Sequence, residues 1–239
     1  MKYIAHRGAS VERQENTLDA LILAASLGAY ACECDIRKTA DGVFVLFHDQ
    51  TLERFTGTPD LVEKLTARQM RENLEAVGRK LTLFSELKRE DFGDSFVLCD
   101  IGNDYWECND RFFQMLAEAS VRVICGVHAV EEARLASKYF PSEQILAFMQ
   151  GDTVALAVEF QKAGAGIIRL WENWLDHITP ADVKKECEGV EVWIMSNHPK
   201  TGLNGSEEAL IRLQSLGADG VLLNDIRMAC EFGKKEENR

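Results

Sequence analysis

A (β/α)8 barrel is the fold that this sequence predicts. Short β-branched or apolar runs alternate with amphipathic, helix-like stretches along most of the chain, the pattern of a parallel sheet with helical crossovers. The 239 residues, 46% of them hydrophobic, match the length of one such barrel and suffice for a large core. Residues 1–239 are therefore read as a single domain, with 49–95 as a possible small cap segment inside it.

The first strand, 3–5, is the apolar run that ends at His6. A helix over 17–27 follows, opened by Asn16 as a capping residue and closed by Gly28. In the strand at 31–36, Glu33 and Asp35 point to one face and Cys32 and Cys34 to the other, because side chains alternate along an extended chain. The strand at 43–47 runs directly into His48-Asp49. The link between these two strands is too short for a helix, so Asp41-Gly42 suggests an antiparallel hairpin. Six extended residues nevertheless reach about 20 Å, enough to return the chain parallel. The parallel arrangement is preferred because it brings His48 to the strand-end mouth shared by His6 and Asp35, where barrel active sites lie.

Beyond the long 49–95 connection, which holds a polar turn at 56–60 and a helix at 66–77, strands are expected at 96–101, 122–127, 144–149, 166–170, 190–195 and 220–223. Helices at 110–119, 130–139, 152–163, 180–186 and 207–216 separate them, the last capped by Ser206 and Gly217. Nine strand candidates exceed the eight of a barrel, so one lies outside it or is misassigned. Residues 233–239, Gly-Lys-Lys-Glu-Glu-Asn-Arg, read as a frayed polar tail.

A net charge of -12 and a pI near 5.0 argue against a nucleic-acid or anionic-membrane surface, which needs clustered Lys and Arg. An anionic substrate must therefore be captured by local cations. Seven cysteines form an odd set without a CxxC pair and read as reduced thiols, which suits the cytoplasm. The first residues are far short of a signal peptide's apolar region, and no run approaches the roughly 20 apolar residues of a membrane span. Stable membrane insertion is not expected; the oligomeric state is not readable.

The chemistry concentrates in the first fifty residues, in His6-Arg7-Gly8, Glu33-Cys34-Asp35 and His48-Asp49. Two histidines able to exchange a proton, a carboxylate pair able to collect a cation, and an arginine able to bind a phosphoryl group together suit the cleavage of a phosphodiester. Each piece also has an ordinary explanation: a solvated strand end for Glu33 and Asp35, structural histidines, and a capping signal for Glu15-Asn16. Carboxylate oxygens suit Mg²⁺ or Ca²⁺, whereas Cys32 and Cys34 lack zinc spacing and read as small buried hydrophobes. His128 and His177 read as solvated, His198 as a candidate mouth residue, and Trp171 and Trp174 as either pocket lining or packing.

Taken in order, AHRGAS at 5–10, ENT at 15–17, ECDIRKTADG at 33–42, VLFHDQTLERFTG at 45–57 and GADG at 217–220 resemble the glycerophosphodiester phosphodiesterase family. VEVWIMSN at 190–197 is similar to that family's aromatic penultimate strand. The resemblance implies a phospholipase-C-like (β/α)8 barrel, a divalent cation, and hydrolysis of glycerophosphodiesters to glycerol 3-phosphate and an alcohol. It places the family's catalytic histidines on His6 and His48, its phosphate-binding arginine on Arg7, its first metal carboxylates on Glu33 and Asp35, and its mouth Glu-Asn on Glu15 and Asn16.

Three departures stand out. Gln14 replaces a proline before Glu-Asn-Thr. Asp100-Ile101-Gly102 stands where the family has Glu-x-Lys, leaving Asp100 as a shorter third carboxylate and no lysine for the phosphate. The closing Thr-Asp becomes Leu223-Asn224, with Asp225 one place on. Arg169 is the best candidate to compensate for the missing lysine; its ordinary alternative is an ion pair.

The resulting reading is a metal-dependent hydrolase of small phosphodiesters. His48 is provisionally given the attacking proton and His6 the leaving alcohol, although the residues alone do not fix which does which. A lysophospholipase D-like activity at the same site and a non-catalytic barrel that binds phosphorylated ligands are the alternatives.

Overall fold

A computed structural model of the chain describes residues 1–101 and 109–237. Gly102, where the family lysine is missing, and Cys108 lie outside the described residues. In chain order the elements are β1 (Lys2–Ala5), α1 (Leu18–Leu27), β2 (Ala31–Lys38), β3 (Phe44–Leu46), α2 (Glu53–Thr56), α3 (Ala67–Glu75), β4 (Thr82–Leu83), β5 (Phe96–Asp100), α4 (Asp110–Ala117), β6 (Val123–Val127), α5 (Val130–Ala136), β7 (Ile145–Phe148), α6 (Val154–Lys162), β8 (Ile167–Trp171), α7 (Pro180–Glu186), β9 (Glu191–Met195), α8 (Glu207–Ser215), β10 (Gly220–Leu223) and α9 (Ile226–Glu237).

Eight parallel strands close the barrel in the order β1, β2, β5, β6, β7, β8, β9, β10, with β10 returning to β1. Alternation along each strand divides the core into two layers. Ile4, Ala31, Leu98, Ile124, Leu146, Ile167, Trp193 and Leu222 fill the lumen. Cys32, Cys34, Cys99 and Cys125 face outward beneath the helices, as small buried hydrophobes. The six described cysteines are all buried and unbridged. Trp193, fully buried in the lumen, is a position where truncation to Ala is expected to cost about 3–5 kcal/mol.

The ninth strand candidate, residues 43–47, contradicts the parallel preference. β3 pairs antiparallel with β2, with Ile36 opposite Leu46 and Lys38 opposite Phe44. The physical reason is that β2 continues past Asp35, its last residue paired with β5, so its outer end offers unpaired backbone groups to a returning hairpin. Thr39 secures the turn by donating to Asp41 and accepting from the Val43 amide, and Gly42 adopts φ 80°. The return brings the Phe47 amide to the Asp35 carbonyl at 3.0 Å. The chain thus re-enters at the barrel rim, and His48 reaches the mouth by this route instead.

The short β4 adds to β3. The 49–95 segment builds a small core of its own from Leu52, Val62, Met70, Leu74 and Leu81 against Val45 and Phe47. Two terminal expectations change. α1 is capped by Thr17, whose side chain accepts from the Ala20 amide, and not by Asn16. Residues 233–237, read as part of a frayed tail, belong to α9 because Ala229, Cys230 and Phe232 are buried and anchor that helix. No helix among the described residues is long and apolar enough to cross a membrane.

Candidate active site

The inward alternation of the strands does not stop where the lumen ends. Ile4 is followed by His6, Ala31 by Glu33 and Asp35, Leu98 by Asp100, Ile124 by Gly126 and His128, Leu146 by Phe148 and Gln150, and Ile167 by Arg169 and Trp171. These upper positions other than Gly126, with Arg7, His48, Met195 and Leu222, line a cavity of about 210 Å³ at the C-terminal mouth. Hydrophobic lower layers and polar upper layers are therefore one pattern read along each strand.

At the end of β1 the backbone turns sharply. Arg7 has φ 58°, unusual for a residue with a side chain, and a Cβ on Gly8 would lie 2.7 Å from the Ala20 backbone of α1. That turn aims the Arg7 amide at Glu33, which accepts it at 2.6 Å. It also sets the Arg7 guanidinium between Glu15 at 3.2 Å and Asp35 at 3.2 Å. Glu15 does not line the cavity. It accepts from Arg7 and from Arg54, and Arg54 in turn holds Asp49 at 2.5 Å. Asn16, at φ 55°, is also outside the lining. Its amide donates to Asp35 at 2.7 Å and its carbonyl accepts the Asp35 amide at 3.0 Å, a role that displaces it from capping.

Glu33, Asp35 and Asp100 each bring a carboxylate oxygen within 4.8 Å of the others. Burial, together with the charges of Asp35 and Asp100, pushes Glu33 well above the usual carboxylate range, against a pull from Arg7. Burial raises Asp35 as well; Arg7 pulls it down and Asp100 adds to the rise. Three gathered carboxylates repel one another unless a cation shares them, and an all-oxygen donor set fits Mg²⁺ or Ca²⁺.

His6 Nδ1 lies 2.7 Å from the Asn224 carbonyl oxygen. An amide oxygen only accepts, so Nδ1 carries the proton and Nε2 keeps its lone pair. Burial and then the Arg7 charge pull the His6 pKa down to about 4, despite the Asn224 bond. His48 is the more open of the two, with 45% of its side chain exposed, and its Nδ1 is 2.7 Å from Asp49.

Arg169 is neither on the surface nor in an interhelical ion pair. It is 3% exposed, and its Nε and Nη1 have no hydrogen-bond partner. Its guanidinium lies 4.5 Å from the Trp171 ring centre, 5.2 Å from Phe148 and 5.9 Å from Trp174. Burial pulls its pKa down to about 10, opposed by Asp100, so it stays charged near neutrality.

His128 is not solvated, contrary to the expectation from its loop position. Only 10% of its side chain is exposed, and its Nε2 is 2.6 Å from Asp100 Oδ1. Burial lowers its proton affinity, but the Asp100 charge and hydrogen bond, with the Glu132 charge, outweigh this and hold it above the ordinary value. Gln150 is the second residue that sequence reasoning missed. His177 and His198 are outside the cavity lining; His198 sits in the β9–α8 loop, where it accepts from the Lys200 amide.

Comparison with known proteins adds three findings. Residues 6–135 match the model of the glycerophosphoryl diester phosphodiesterase family. A probable glycerophosphodiester phosphodiesterase 1 of Mycobacterium tuberculosis is 48% identical over 69 residues, which cover 29% of this chain and 25% of that protein; this chain thus aligns with only a quarter of that relative's length. Among solved structures, a putative glycerophosphodiester phosphodiesterase from Galdieria sulphuraria superposes with a TM-score of 0.79 at 18% identity, over 97% of each chain. An Oleispira antarctica phosphodiesterase, solved with its product sn-glycerol-3-phosphate, gives 0.72 at 18% identity, over 98% of this chain and 97% of that one. At these identities the superpositions establish the shared barrel.

Proposed function

Since the chain belongs to the glycerophosphoryl diester phosphodiesterase family, we propose that it hydrolyses small glycerophosphodiesters to glycerol 3-phosphate and an alcohol, as a divalent-cation-dependent, single-domain enzyme of the cytoplasm. One observation carries this reading. The same cavity holds three carboxylates that call for a cation and, in Arg169, a buried guanidinium that calls for an anion. A phosphodiester bound with a divalent cation satisfies both.

Glu33, Asp35 and Asp100 would hold the cation. When bound, it supplies a positive charge that polarises a nonbridging phosphate oxygen and shields the phosphate from these carboxylates. Arg7 and Arg169 share the remaining phosphate charge; a guanidinium offers two N–H groups to phosphate oxygens without any tuning of its protonation. Arg7 is already aimed by Glu15, itself tied through Arg54 to Asp49, so the 49–95 segment helps to hold the mouth.

The tautomer of His6 supports the reverse of the provisional assignment. With Nδ1–H spent on Asn224 and Nε2 bare, His6 is suited to take the proton of the attacking hydroxyl or water. His48, exposed and backed by Asp49, then protonates the leaving alcohol oxygen.

The experiment is an assay with glycerophosphocholine, glycerophosphoethanolamine and a lysophospholipid, with Mg²⁺, with Ca²⁺ and after chelation. Metal-dependent release of glycerol 3-phosphate from either glycerophosphodiester supports the proposal. Cleavage of the lysolipid alone would make the activity lysophospholipase D-like, and binding without cleavage would make the chain a non-catalytic barrel.

A further inference from the structure

Asp100 is one methylene shorter than the glutamate that the family resemblance puts at this position, yet its carboxylate still reaches Glu33 and Asp35. A chain of contacts around the rim, from β5 through β6 to β7, accounts for its placement. Gly126 on β6 has no side chain, and a Cβ there would lie 2.3 Å from the Phe148 ring, so Phe148 of β7 occupies that space. The His128 ring stacks on Phe148, with centres 5.0 Å apart and planes inclined by 14°. This fixes the plane of the imidazole.

Its proton is fixed as well. Gln150 Nε2 faces the Phe148 carbonyl at 3.3 Å and His128 Nδ1 at 2.8 Å. The carbonyl can only accept, so the nitrogen of the Gln150 amide must be the atom on this side. It therefore donates to Nδ1, which leaves the His128 proton on Nε2, facing Asp100 Oδ1 at 2.6 Å. A histidine held on both sides in this way orients a carboxylate as outer partners orient metal ligands elsewhere.

We propose that His128, clamped by Gln150 and Phe148, is a positioning residue that presents the Asp100 carboxylate to the divalent cation and compensates for its short reach. The proposal rests on the carboxylate-site reading above. It assigns His128 a cation-affinity role and no part in proton transfer.

The test is a calorimetric Mg²⁺ titration at fixed pH of the wild type, His128→Phe, His128→Gln, Gln150→Leu, Asp100→Asn and the His128→Phe/Asp100→Asn double variant. Unfolding without metal is followed in parallel, to confirm that each variant is folded. His128→Phe should weaken Mg²⁺ binding by roughly 10- to 100-fold. His128→Gln, which keeps an N–H donor, should recover much of that loss, and Gln150→Leu should weaken binding by a smaller factor. In the Asp100→Asn background, the His128 change should add less than about twofold, because its effect runs through Asp100. If His128→Phe binds Mg²⁺ within about twofold of wild type, or the loss is undiminished in the Asp100→Asn background, the proposal is overturned. Should His128→Phe fail to fold, Gln150→Leu carries the same comparison. A wild type that binds no divalent cation overturns the carboxylate-site reading itself, and this inference with it.

Discussion

His6 and Asn224, 218 positions apart in the chain, meet at 2.7 Å where β1 and β10 close the barrel. Their contact joins fold to chemistry. The side-chain oxygen of Asn224 leaves His6 only one tautomer in which to accept a proton, and barrel closure places that tautomer at the mouth. Leu223-Asn224, a departure from the family pattern in the sequence, thereby acquires a physical role.

The burial of His6 has a measurable consequence for stability. Its folded-state pKa is about 4, against an ordinary 6.5. Above pH 6.5 neither state is protonated, so the group is without effect. As pH falls from 6.5 to 4, the unfolded chain takes up a proton that the folded chain refuses, and stability drops by about 3 kcal/mol in all. Denaturant unfolding of His6→Asn should therefore show a shallower loss of stability between pH 7 and pH 4 than wild type. Parallel pH profiles would mean that His6 titrates normally in the fold.

Glu33 gives the opposite sign. Its folded pKa is raised, so its contribution to stability is lost as pH rises above the ordinary carboxylate value. In metal-free buffer near neutrality, Glu33→Gln should melt higher than wild type. Added Mg²⁺ should raise the melting temperature of wild type and leave the variant nearly unchanged. Equal Mg²⁺ shifts in both proteins would remove Glu33 from the cation site.

Arg169 carries a folding cost, because its buried guanidinium has no hydrogen-bond partner at Nε or Nη1, and under the proposed function it also binds phosphate. Arg169→Met should raise thermal stability while lowering kcat/KM by roughly 10²-fold or more, the usual worth of one charge-stabilising donor. Inorganic phosphate should stabilise wild type more than the variant. A kinetically silent Arg169→Met would leave the phosphate to Arg7 and the cation alone.

Asn16 joins the carboxylate cluster to the start of the first helix through two hydrogen bonds to Asp35. Asn16→Ala leaves that carboxylate less firmly held, and a loss of about 1–3 kcal/mol in stability is expected, read by denaturant unfolding. A loss well under 1 kcal/mol would return Asn16 to a minor role.

Much of the site was legible because strand alternation is simple. Glu33 and Asp35 turned inward and Cys32 and Cys34 outward, as a period of two demands. His128 obeys the same rule through Ile124 and Gly126, but a glycine in the middle position conceals the pattern, and a histidine just past a strand resembles any loop residue. The direction of β3 depended on how far β2 outruns its barrel neighbour, a matter of pairing between distant segments that local spacing does not encode. The expectation that fails for Asn16 is the helix cap, because its unusual backbone angle, invisible in the sequence, turns its side chain to Asp35 instead of to the helix start. The surroundings of Arg169 were likewise unreadable, since Phe148 and Trp174 come from other turns of the chain.

The most direct measurement is the release of glycerol 3-phosphate from glycerophosphoethanolamine and glycerophosphocholine by wild type, His6→Ala and His48→Ala, each with Mg²⁺, with Ca²⁺ and after exhaustive chelation. The account predicts turnover by wild type only with a divalent cation, and a loss of roughly 10²- to 10⁴-fold in each histidine variant that added metal does not repair. Full turnover after complete metal removal, or unimpaired turnover in both histidine variants, would contradict it.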